Sequence, residues 1–93
     1  MGWEPKDPAA TLDYEVDWSV WLDNDILATS TFTVPNGLTK ESESIVSGDK
    51  RARVWLSGGK HGQRYDVVNT ITTTGGRTNR RVCSLRVETR TLV

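Results

Sequence analysis

The stretch LDYEVDWSVWL, residues 12–22, alternates apolar and polar side chains almost without a slip. Leu12, Tyr14, Val16, Trp18, Val20 and Leu22 share one parity, and Asp13, Glu15, Asp17, Ser19 and Asp23 share the other. A period of two is that of a strand with one buried and one wet face. The same alternation returns in RARVWLS (51–57), where Ala52, Val54 and Leu56 read inward. It returns again in RYDVVNTITTT (64–74), with Tyr65, Val67 and Ile71 inward, and in 81–90, with Cys83, Leu85 and Val87 inward. A helical period of 3.6 is found nowhere along the chain. Trp21 is the one misfit of the first stretch, an indole on the parity of the acids.

Turn formers separate these runs. Asp23-Asn24-Asp25, Pro35-Asn36-Gly37, Gly48-Asp49, the loop Gly58–Gly62 and Gly75–Asn79 divide the chain. Between the first two lies ILATSTFTV (26–34), with Ile26, Ala28, Ser30, Phe32 and Val34 on one face, expected to form a hairpin with 12–22. Residues 38–47 are polar and read as a short edge strand. Residues 1–11 carry two prolines and read as an extended lead-in, with one β-domain over 12–93. Five clear strands and one or two weaker ones, about six to seven antiparallel strands in all, suit a two-sheet sandwich. Tyr65 opens the penultimate strand three residues after Gly62, the place of the tyrosine corner in immunoglobulin-like sandwiches. With Trp18 as the core tryptophan, it favours that sandwich over a small barrel.

The chemistry of a catalytic centre is missing. His61 stands in a glycine loop with no second His and no Cys beside it. Asp13, Glu15 and Asp17 lie about 7 Å apart along a strand and lack a calcium loop, so they read as a wet face paired with arginines of a neighbouring strand. Gly58-Gly59-Lys60 lacks the spacing of a phosphate loop. Cys83 reads as a small buried hydrophobe. No cofactor and no enzymatic activity are expected. Nor is nucleic acid: arginines 77, 80, 81, 86 and 90 gather near the C-terminus, but the net charge is zero. No apolar run approaches the roughly 20 residues of a membrane span. MGWEPKDPAA has none of the basic-then-apolar character of a signal peptide, which leads to the expectation of cytoplasmic synthesis.

Two patterns remain that concern contacts. Residues 1–45 hold nine acids against two lysines, and residues 46–93 hold ten basic residues against three acids. The halves either pair with each other inside one domain, or the acidic face of one copy meets the basic face of the next. The outward-reading Trp21 and Trp55, with Trp3 in the lead-in, either lie under the chain's own segments or form an interface patch. With Arg77, Arg80 and Arg81 they are the candidate interface residues.

The combination WEPKDPAATLDYEVDWSVWL, DILATSTFTVPNGL and VWLSGGKHGQRYDVVNTITTTGGR resembles a family of small tailed-phage and prophage virion-associated proteins. The resemblance spans most of residues 3–87. It implies an immunoglobulin-like fold and a gene among those for head and tail morphogenesis. The expected role is a virion structural protein that decorates or cements the capsid. Its partners would be the major capsid protein or other virion proteins, and also a second copy of itself. The alternatives are a head–tail joining or fibre-associated component, and an adhesion module that stacks sugars on its tryptophans.

Overall fold

Six strands and one helical turn follow one another along the chain: β1 (Leu12–Asp17), α1 (Ser19–Leu22), β2 (Leu27–Thr33), β3 (Leu38–Val46), β4 (Arg51–Gly58), β5 (Arg64–Thr73) and β6 (Thr78–Arg86). They come from a computed structural model that describes residues 2–46 and 48–89. The strands form two antiparallel three-stranded sheets, ordered β1–β4–β3 and β2–β5–β6. Lettered B to G in chain order, the sheets read B-E-D and C-F-G. That is the immunoglobulin arrangement with strand A missing from its sheet. The lead-in runs parallel to β6 instead, through bridges Gly2–Ser84 and Lys6–Val87. The two inner faces enclose Val16, Trp18, Leu22, Phe32, Ala52, Val54, Leu56, Val67, Ile71, Cys83 and Leu85, all buried.

Parity holds in β4, β5 and β6, whose inward residues are those the alternation picks out. It fails after Asp17, for a local reason. The Asp17 carboxylate accepts the Ser19 backbone N–H at 2.9 Å, and the Leu22 N–H then reaches the Trp18 carbonyl at 2.8 Å. The strand therefore ends in a helical turn, and the period changes from two to 3.6. Trp18 and Leu22 stay inward at i and i+4, while Trp21 at i+3 swings to their side. Val20, expected inward, is 94% exposed. Leu12, also expected inward, is exposed where β1 starts.

The expected hairpin between the first two strands does not form. β1 pairs with β4 and β2 with β5, because the helical turn carries the chain from one sheet to the other. In β2 the register shifts between Leu27 and Thr29, so Leu27 is buried and Ala28 exposed, contrary to strict alternation from Ile26. From Ser30 onward the expected parity is restored.

Tyr65 makes the corner. Its hydroxyl accepts the Lys60 N–H at 2.9 Å, just upstream of β5. Gly37 packs edge-on against its ring: a Cβ there would lie 3.1 Å from the Tyr65 hydroxyl, and its φ of +100° favours glycine in any case. The Gly59 N–H donates to the Gly37 carbonyl at 2.9 Å. The stretches Val34-Pro35-Asn36-Gly37-Leu38 and Leu56-Ser57-Gly58-Gly59 are thus two sides of one packing feature around this tyrosine.

Candidate interaction surfaces

The candidate residues fall into three places. At one end, the Arg77 guanidinium lies 4.2 Å over the Trp21 ring and donates to the Leu22 carbonyl at 3.0 Å and to Asp25 Oδ2 at 3.2 Å. Arg81 lies 4.1 Å over the Trp18 ring and donates to the Asp17 carbonyl at 2.8 Å. Trp18 and Trp21 meet edge to face at 5.5 Å. Two indoles and two guanidiniums therefore clasp α1 against the β5–β6 turn. The Asp25 carboxylate at the centre takes hydrogen bonds from Thr74 Oγ1, the Gly75 N–H and the Ile26 N–H. Thr73 as the largest contributor, with the Ile26 N–H, Thr74 and Arg77, holds the Asp25 pKa well below the usual carboxylate range. Asp17 is lowered as well, chiefly by its hydrogen bonds with Ser19.

The second place is the lead-in. Trp3 stacks on Tyr14 at 4.8 Å and donates its indole N–H to the Glu15 carbonyl at 3.2 Å. Lys6 is fully buried, and its ammonium donates to the Asp7 and Gly58 carbonyls at 2.8 and 2.7 Å. Desolvation lowers its pKa, with the Asp7 charge acting in the other direction. An open groove of about 510 Å³ lies between Gly2–Pro5 and the start of β1, with Leu12 and Tyr14 among its walls.

The outer sheet faces are the third place. On β1–β4–β3, register sets Asp13 opposite Trp55, Glu15 opposite Arg53 and Asp17 opposite Arg51. Arg53 binds Glu15 at 2.6 Å and Asp13 at 3.7 Å, and Arg51 lies 3.6 Å from both Glu15 and Asp17. Acids of the first half of the chain thus meet arginines of the second inside one sheet. Trp55 stands on this face, 39% exposed. On β2–β5–β6, Arg80 is exposed and makes no ion pair among the described residues, and Val82 beside it is 48% exposed.

Several organising residues carry no motif. Asn69, buried in β5, accepts the Trp18 indole N–H at 2.9 Å and donates to the Ser30 hydroxyl at 2.9 Å. Lys40 and Glu43 reach across from β3 to the carbonyl and N–H of Phe32 at 3.1 and 2.8 Å. Nothing but the alternation of β5, which sets Asn69 on its inward parity, signalled any of them. Among the described residues, no group of three or more His, Cys, Asp or Glu could hold a metal ion. The His61 ring nitrogen accepts the Thr89 N–H at 2.9 Å. No helix among the described residues is long and apolar enough to cross a membrane.

A comparison with protein families matches residues 6–86 to the model described as podophage GP4 fiber-tail adaptor protein gp77. The chain belongs to this family. The match runs from the buried Lys6 to the end of β6 and so takes in both sheets, the tyrosine corner and the clasp. Membership makes the protein a structural component of a phage particle. It agrees with the fibre-associated alternative of the sequence reading and not with capsid decoration. A comparison with curated proteins returns no match.

Proposed function

We propose that the chain is a non-enzymatic adaptor that joins a fibre to the tail of a podophage particle. The match of a fibre-tail adaptor family to the whole of both sheets carries this reading. The geometry supports it. Trp3, Trp21, Arg77 and Arg81 are spent on holding the lead-in and α1 to the sandwich. Trp55 and Arg80, on opposite outer faces, keep exposed surface for a partner. The partners are other virion proteins, fibre and tail, rather than the capsid lattice.

Quantitative mass spectrometry of purified particles tests the reading. An adaptor is expected at a copy number that tracks the fibre protein and falls far below the major capsid protein. A copy number that tracks the capsid lattice would return the decoration role, and absence from the particle would end the structural reading.

A further inference from the structure

The two outer sheet faces carry opposite charge. Side chains opposite one another in register share a face, and neighbours along a strand alternate. The outer face of β1–β4–β3 therefore presents Asp13, Glu15, Asp17 and Glu41 against Arg51 and Arg53. Glu41 accepts the Ser57 hydroxyl and has no cationic partner among the described residues. The outer face of β2–β5–β6 presents Arg64, Arg80 and Arg86 against Asp66 and against Glu88 just past the end of β6, which Arg86 meets at 2.8 Å; Arg80 has no anionic partner among the described residues. Each face also carries one large exposed apolar side chain, Trp55 on the acidic side and Val82 on the basic side.

We propose that the acidic face of one copy docks on the basic face of the next, with a second copy of this chain as the occupant of both. The complementarity is internal to the molecule: each face is the counterpart of the other. Such a contact is heterologous, and repeating it closes a ring or extends a stack. A face of three strands, six to ten residues long, covers roughly 400 Å². A standard interface takes about 800 Å² per partner, so a single contact is weak and the chain associates only when concentrated or held in place on a particle. Charge attraction across such a face is screened by salt. The proposal stands apart from the adaptor reading, since its test uses the isolated chain.

Sedimentation velocity over a range of protein concentration, at about 20 mM and about 500 mM salt, tests it. The wild-type chain is expected to self-associate at low salt and to dissociate at high salt. A variant with Asp13→Lys and Glu41→Lys, and one with Arg80→Glu and Arg86→Glu, should each remain monomeric. All four substitutions together exchange the two faces and leave net charge at zero, and should restore association. The replaced side chains are exposed, and circular dichroism confirms that each variant folds. A wild-type chain that stays monomeric throughout would overturn the proposal. So would association that survives in either two-site variant, or a four-site variant that fails to recover it.

Discussion

Asp25 shows what one carboxylate does at the clasp. It gathers donors from the Ile26 N–H just before β2, from the β5–β6 turn and from the Arg77 side chain, and those donors favour its ionised form. With a folded-state pKa below the unfolded value, the ionised group stabilises the protein fully above about pH 4. That contribution is lost as pH falls toward the depressed folded value. Asp25→Asn is therefore expected to lower Tm at pH 7, and the gap from wild type should narrow steadily below about pH 4. A gap that stays constant in thermal melts across that range would contradict this. Trp18 makes a second prediction. Trp18→Phe strands the buried Asn69 carbonyl oxygen and shrinks the aromatic surface under Arg81, at a cost of about 2–4 kcal/mol by urea unfolding. The burial of Trp18 was legible, because parity and an i+4 step agree at that position. The place of Trp21 was not, because the Asp17–Ser19 hydrogen bond that starts the turn leaves only Asp-Trp-Ser as its trace.

Strands were legible and their partners were not. Alternation in β4, β5 and β6 needs only neighbours along the chain, whereas pairing β1 with β4 depends on where a helical turn delivers the chain. The bulge at Ala28 likewise answers to β5 and to the Asp49 carbonyl that takes the Leu27 N–H at 2.8 Å. The tyrosine corner was legible since its spacing is local. Tyr65→Phe removes the bond to Lys60 while keeping the ring against Gly37, so a loss of about 1 kcal/mol is expected, a fall of roughly 4–8 °C in Tm for a domain of this size. An unchanged Tm would mean that the hydroxyl contributes nothing. The Lys40–Glu43 pair belongs to the same scale. It occupies the carbonyl and N–H of Phe32 on the open edge of β2, where an unpaired edge invites another strand. Glu43→Ala is expected to speed aggregation at elevated temperature by light scattering, more than Glu41→Ala on the outer face does.

At the scale of the whole molecule, the apolar interior is closed and the interesting chemistry is on the outside. The charge split between the chain's halves resolves into two effects: cross-strand pairing within the β1–β4–β3 sheet, and a residual contrast between the two outer faces. Which virion protein this chain meets was not legible, because partner choice is written in surface complementarity to another chain and not in periodicity. The adaptor reading makes one direct demand. Particles assembled without this protein should carry their tail proteins but lack the fibre, measured as the ratio of fibre to tail protein in purified particles. A ratio near zero, restored when the protein is supplied, is the predicted result. A fibre ratio unchanged from the intact particle would contradict the account.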